Sequence, residues 1–274
     1  MFPGEHAAKN PDKPAYVMAT SGDVVTYRQL DDAANRLSQL FRAIGLEPGD
    51  HVAICLENHP RYMEIVWGAQ YAGLIYTACS SRLTSDELSY IINDCNAQVF
   101  ITSMYKAAQA AEIVATTPDV KLRLMLDGTI DGYEPFEVRV GEYPAEPLAV
   151  RISGDDMLYS SGTTGRPKGV AHPFAREPLG TADGVTNLGL FLFGMTPDSV
   201  YLSPAPLYHA APLRFVVATL RIGGTAVIME HFDAEQSLAL IEKYKATHSQ
   251  WVPTMFIRML KLPDEVRARH DLSS

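Results

Sequence analysis

Apolar positions along this chain switch repeatedly between two periods, a helical one of three to four residues and short unbroken runs of the kind that form buried strands. Leu30, Ala33, Ala34, Leu37, Leu40, Phe41 and Ile44 share one helical face, behind a Thr26-x-x-Gln29 capping pair and ahead of Gly45, which stops the run. Upstream, residues 15–19 and 24–26 flank Ser21-Gly22-Asp23 and read as a hairpin, while the polar, Pro-rich residues 1–14 read as a lead-in. Downstream, 51–56 is a buried-type strand, a helix runs from near Pro60 to about Gly73, and 74–78 is a strand. Thr84-Ser85-Asp86-Glu87 is a second capping box opening a helix to about Cys95, followed by a strand at 99–102, a helix at 106–116 and an extended run at 122–126.

Residues 127–153 carry Gly, Pro and acidic side chains without a period and read as a long connection. Beyond Met157, Leu158 and Tyr159, an extended run, the expected elements are a helix over 176–195, a strand at 200–203, a helix at 213–222 and a strand at 225–229. A helix capped by Asp233-x-x-Gln236 then runs to about Lys245, followed by a strand at 248–252 and a last helix from Pro253. Repeated β-α order with short connections predicts an α/β fold, parallel β-sheets flanked by helices on both faces.

Composition narrows the function classes. The 274 residues are 47% hydrophobic and 20% charged, as in globular proteins, and carry a net charge of -9 with no run of Lys or Arg, which excludes a nucleic-acid partner from the expectations. Cys55, Cys79 and Cys95 are far apart among apolar neighbours and read as reduced core thiols, which favours the cytoplasm. No leader-like apolar segment and no stretch of about eighteen apolar residues is present, so neither export nor a transmembrane segment is expected. The apolar cluster from Leu188 to Met195 leaves peripheral contact with a membrane open.

The richest chemistry lies at Ser160, Ser161, Gly162, Thr163, Thr164, Gly165 and Lys168. Glycines let backbone N–H groups approach a polyphosphate, hydroxyls add donors, and Lys168 adds a positive charge. A surface turn would also use Gly, Ser, Thr and Pro. Here nine of ten positions from Ser160 fit the signature S-S-G-T-T-G-x-P-K-G; at about 7% per residue type, chance gives such a match on the order of 10⁻⁸ times per chain. Neither G-x-x-x-x-G-K-[ST] nor G-x-G-x-x-G fits.

This segment resembles the phosphate loop of the adenylate-forming (AMP-binding) superfamily, which includes acyl-CoA synthetases, firefly luciferase and peptide-synthetase adenylation domains. The resemblance implies a loop that closes on the phosphates of ATP. It also implies a reaction in which a carboxylate and ATP give acyl-AMP and pyrophosphate, after which the thiol of CoA displaces AMP, with magnesium entering on the ATP phosphates. The opening P-D-K-P-A-Y, the T-Y-R-Q-L helix start and the G-D-H-V-A-I strand resemble the family's amino-terminal region, so the likeness spans the chain. It implies further that Tyr208 and His209, in P-L-Y-H, and Pro253 and Thr254, after Trp251-Val252, border the acid-substrate pocket. Alone, a His beside alanines would more often be structural, and a buried Trp followed by a helix-starting Pro would be structural about as often as functional.

Metal ligation by the protein is not expected: the eight histidines form no H-E-x-x-H and no paired C-x-x-C occurs. In the family a Thr-Glu glutamate helps hold magnesium, an aspartate binds ribose and a lid lysine is catalytic. This sequence contains no Thr-Glu dipeptide and reaches Ser274 about half way through the pattern. The expectation is therefore an incomplete AMP-binding domain over 1–274, without the carboxyl-terminal half and lid, and inactive by itself. His172, where the family pattern departs, receives no role. The expected substrate is a fatty or aryl acid, because the neutral P-L-Y-H-A-A-P-L context offers no acidic group for an amino acid's ammonium. Part of a peptide-synthetase adenylation domain and a non-catalytic fragment are the alternatives.

Overall fold

Strand and helix alternate through the residues described by the computed structural model, 1–160 and 166–274. The chain begins with α1 (Pro3–Lys9), the hairpin β1 (Pro14–Met18) and β2 (Val24–Thr26), α2 (Tyr27–Ala43), β3 (His51–Cys55), α3 (Tyr62–Ala72), β4 (Ile75–Ala78), α4 (Ser85–Asp94) and β5 (Ala97–Ser103). A 3-10 turn (Met104–Lys106) then leads into α5 (Ala107–Ile113), β6 (Leu122–Leu126), β7 (Glu134–Pro135), α6 (Phe136–Gly141), β8 (Asp155–Asp156), β9 (Leu158–Ser160) and β10 (Lys168–Val170). The remainder is α7 (Gly184–Phe191), β11 (Val200–Ser203), α8 (Ala210–Ile222), β12 (Thr225–Ile228), α9 (Ala234–Tyr244), β13 (His248–Ser249), α10 (Pro253–Leu260) and α11 (Asp264–Arg267). These elements form two units, one of Met1–Leu30, Asn58–Pro60 and Ala182–Ser274, the other of Asp31–Glu57 and Arg61–Thr181.

The second of these units is built on a parallel sheet of order β7-β6-β5-β3-β4-β8 among the described residues. Ala53 and Cys55 of β3 pack in one core with Leu88, Ile91 and Ile92 of α4 and Ala110 and Ile113 of α5. Val52 and Ile54, which the pleat turns to the opposite face, are equally buried, so both faces are covered, as a parallel sheet requires. α3 lies so close to α2 that a Cβ on Gly68 would stand 2.7 Å from Leu37 Cδ2. α4 starts on a complete capping box: the Glu87 N–H donates to Thr84 Oγ1 at 3.3 Å and the Thr84 N–H to Glu87 Oε2 at 2.9 Å.

The other unit carries a sheet of order β13-β11-β12-β1-β2, parallel except for the β1–β2 hairpin. Gly22 has a φ of 79°, the left-handed value that this tight turn needs. Leu202, Val227 and Met229 pack against Leu240 of α9 on one side of this sheet. Tyr201, turned the other way, stacks on Phe215 of α8 with ring centroids 6.0 Å apart.

Four sequence expectations need correction. Residues 3–9 form α1, because Pro3 at a first-turn position starts a helix too short to show a period. The connection at 127–153 contains β7 and α6, again too short for periodicity to register. The helix expected over 176–195 begins only at Gly184, where the Asp183 carboxylate accepts the Thr186 N–H at 2.7 Å; Arg176 and Gly180 before it have positive φ. The strand at 248–252 stops at Ser249, and α11 follows α10. The cluster 188–195 divides: Met195 is buried, whereas Phe191 and Leu192 are exposed. No helix among the described residues is long and apolar enough to cross a membrane.

Cys55, Cys79 and Cys95 are free thiols buried in the α4 core. Burial pushes Cys55 up to about 12, Cys95 up to about 11 and Cys79 well above the ordinary thiol value. Because the thiolate is the reactive form, an aromatic disulfide reagent at pH 8 is expected to modify the native chain roughly 10²-fold or more slowly than the urea-unfolded chain. Similar rates in the two states would place the thiols outside this core.

Candidate functional site

The segment expected to be a phosphate loop is approached along the edge of the six-stranded sheet. Gly154 donates its N–H to the Gln70 carbonyl at 3.0 Å, Asp155 to that of Leu74 at 3.1 Å and Met157 to that of Tyr76 at 3.0 Å, so the chain is laid along β4 before it turns. β9 then pairs antiparallel with β10, in the register Ser160 to Lys168, Tyr159 to Gly169 and Leu158 to Val170. Ser160 and Lys168 therefore form the base of a hairpin, both exposed, with a hydroxyl and an ammonium on one pair of residues. Ser161, Gly162, Thr163, Thr164 and Gly165 lie outside the described residues.

Two contacts fix this base, and pattern reading missed one partner of each. The Tyr159 hydroxyl donates to Asp94 Oδ2, on α4, at 2.5 Å; burial, followed by that carboxylate, pushes the phenol above its ordinary range. Across the pair, a Cβ on Gly169 would lie 2.9 Å from Tyr159 Cζ, so glycine there is what allows the ring to cross the hairpin. Beside them the Arg166 guanidinium lies over the Tyr90 ring, 4.9 Å from its centroid. Nothing in local sequence marks Asp94, which is one acidic residue on the polar side of an amphipathic helix.

The residues expected at the acid pocket lie in the other unit. β13, β11 and β12 are adjacent and parallel, so residues 206–209, leaving β11, and 251–254, leaving β13, emerge at the same carboxyl edge, where open α/β sheets gather ligands. Tyr208 is half-buried and His209, at the N-cap of α8, is exposed; their ring centroids are 4.5 Å apart. Pro253 opens α10, and it and Thr254 are exposed. Trp251 is wedged between Phe232 and Phe256, at 6.2 and 6.0 Å, a packing role.

The chemistry of the hairpin base suits a phosphate: it pairs a hydroxyl, which here donates to the Lys168 carbonyl at 3.4 Å, with an exposed ammonium. It does not suit a magnesium ion. Among its described residues none is a carboxylate, and the carboxylate tied to it, Asp94, already accepts the Tyr159 hydroxyl.

A model of the AMP-binding enzyme family matches residues 4–274, and the chain belongs to that family. Long-chain-fatty-acid–CoA ligase FadD13 of Mycobacterium tuberculosis is 29% identical to it over 270 residues, covering 95% of this chain and 50% of that protein. A feruloyl-CoA synthase from an Amycolatopsis species is 31% identical over 239 residues, covering 86% and 45%. The inhibitor-bound crystal structure of the N-terminal domain of FACL13 from Mycobacterium tuberculosis superposes with a TM-score of 0.85 at 26% identity, over 99% of this chain and 66% of that one. The fold is thus that of acyl-CoA ligase amino-terminal domains. The chain spans about half the length of the curated relatives it matches.

Proposed function

We propose that these residues are the phosphate- and acid-binding part of a cytoplasmic, ATP-dependent acyl-CoA ligase acting on a fatty or aryl acid. The acid's carboxylate attacks the α-phosphorus of ATP, pyrophosphate leaves, and the thiol of CoA then displaces AMP to give the thioester. The observation that carries the reading is the paired base of the β9–β10 hairpin, which sets Ser160 and Lys168 side by side at the ends of the family's phosphate-loop signature. Ser160 would donate to a phosphate oxygen, and the Lys168 ammonium would offset phosphate charge. Ser161 to Gly165 would supply the remaining donors. Magnesium would arrive on ATP. Tyr208 and His209, with Pro253 and Thr254, would border the acid, and the relatives' names support a fatty or aryl one.

Calorimetric titration of the 274-residue chain tests this. ATP is expected to bind, as are decanoate or ferulate, and His209→Ala is expected to weaken the acid about tenfold while leaving ATP unchanged. An unchanged acid and a weakened nucleotide would sink the assignment of His209. With ATP, magnesium and acid present, pyrophosphate release by these residues alone is expected to stay at least about 10²-fold below that of a full-length ligase, since catalysis needs a set of charged partners that acts together. Turnover at the full-length rate would show that the residues carrying the chemistry have been misassigned.

A further inference from the structure

Asn58 is a polar side chain in an apolar place, only 7% exposed, and its amide is spent on backbone groups distant in sequence. Nδ2 donates to the Met229 carbonyl at 2.7 Å and to the Ala205 carbonyl at 3.2 Å, and Oδ1 accepts the Leu207 N–H at 2.8 Å. These partners dictate which way the amide faces: turned over, it would set its oxygen against two carbonyl oxygens and its NH₂ against an N–H. The same short segment is held from β1, where the Tyr16 hydroxyl donates to the Pro60 carbonyl at 2.6 Å.

What the partners belong to decides what the contact does. Met229 follows β12, and Ala205 and Leu207 flank Pro206 in the turn that joins β11 to α8. Leu207 is fully buried, and its N–H, held away from solvent, would have no partner without Asn58. Two residues on, the His209 carbonyl accepts the Leu213 N–H at 3.1 Å and so belongs to the first turn of α8. The Tyr208 and His209 rings thus hang between two fixed points, Leu207 and the start of α8.

We propose that Asn58 is the positioning residue of the Tyr208–His209 pair: its amide ties the turn leaving β11 to the end of β12 and so sets where both rings stand at the carboxyl edge of the sheet. Its consequence for acid binding rests on the reading of that edge as the acid pocket. A side chain that merely satisfied buried backbone would change stability without changing the rings or the ligand selectively.

Nuclear magnetic resonance on the unaltered chain gives the first test and needs no variant. The two Nδ2 protons of Asn58 are expected to exchange with water roughly 100-fold more slowly than those of the exposed Asn10; equal rates overturn the proposal. In Asn58→Ala, the Leu207 amide is expected to lose its protection and the His209 ring resonances to move, while amides of the β1–β12 ladder keep theirs. Decanoate and ferulate are expected to bind about tenfold more weakly, with ATP unaffected. An unmoved His209 signal, or acid affinity unchanged while Leu207 exchanges freely, overturns the positioning role. If the unaltered chain binds neither acid, the acid-pocket reading fails, and the amide and ring signals alone decide what Asn58 holds.

Discussion

Gly154→Ala is expected to lower the stability of the unit built on the six-stranded sheet by about 3 kcal/mol or more, at the upper end of overpacking penalties. A Cβ there would stand 2.4 Å from the Leu74 carbonyl oxygen, 2.9 Å from Gln70 Cα and 3.0 Å from the Ala69 carbonyl oxygen. All three are backbone atoms at the end of α3 and the entry to β4, so no rotamer change makes room. The backbone angle of Gly154 is not in the left-handed region, and at such a position alanine ordinarily stabilises by about 0.4–1 kcal/mol through the unfolded state. Space alone decides the sign. For a unit of this size the loss corresponds to a fall of roughly 6–12 °C in Tm. Trp67 lies in this unit and Trp251 in the other, so fluorescence in a Trp251→Phe background reports the melt of interest. Gly141→Ala is the control: nothing lies within 4 Å of its Cβ, and it should be neutral or slightly stabilising. A Gly154→Ala chain melting within about 2 °C of the parent would show that the sheet edge yields where the backbone contacts say it does not.

Elements whose signal is local and long were legible in the sequence. α2 carries several turns of apolar period behind a capping pair that forms as read, Thr26 N–H donating to Gln29 Oε1 at 2.8 Å. α4 and α9 likewise begin at their acidic or hydroxyl caps. Elements of one or two turns were not legible, because α1 and α6 end before an apolar face can repeat. The overlong helix at 176–195 has a different cause: apolar residues at helical spacing continue upstream of Asp183, but the backbone there turns through the left-handed angles of Arg176 and Gly180.

The candidate site divides along the same line. The segment proposed to bind phosphate stands out in sequence because its small and hydroxylated residues are contiguous. Its support does not, since Asp94 meets Tyr159 across 65 positions. Asn58 meets Leu207 across 149, and no window of sequence contains both. Asn58 can be suspected only as a polar side chain just beyond an apolar strand, a weak signal until the fold supplies its partners, and Asp94 has no such signal.

Lys168→Ala is expected to weaken ATP roughly 10- to 100-fold, the range for losing a hydrogen bond to a charged group. Adenosine, which has no phosphate, should bind the variant and the parent alike, and the difference for ATP should shrink as salt screens the exposed ammonium. Gly169→Ala should act on the same ligand by another route. Its Cβ would meet Met157 Cε at 2.3 Å, Tyr159 Cζ at 2.9 Å and the Tyr159 hydroxyl oxygen at 3.1 Å. The methionine can swing aside, but the ring is held at its far end by Asp94 and must give up that hydrogen bond to move. ATP affinity should therefore fall in Gly169→Ala although Lys168 remains, and the loss should be less sensitive to salt than that of Lys168→Ala, because geometry and not charge has been removed. Tyr159→Phe, which keeps the ring and deletes the hydroxyl, separates the two parts of this argument: it should reproduce part of the Gly169→Ala loss and none of the salt dependence. Calorimetric titrations of ATP, AMP and adenosine at low and high ionic strength measure all of these quantities. Equal weakening of adenosine and ATP in Lys168→Ala would mean that the hairpin base does not face a phosphate, and the phosphate-loop reading would fall with it.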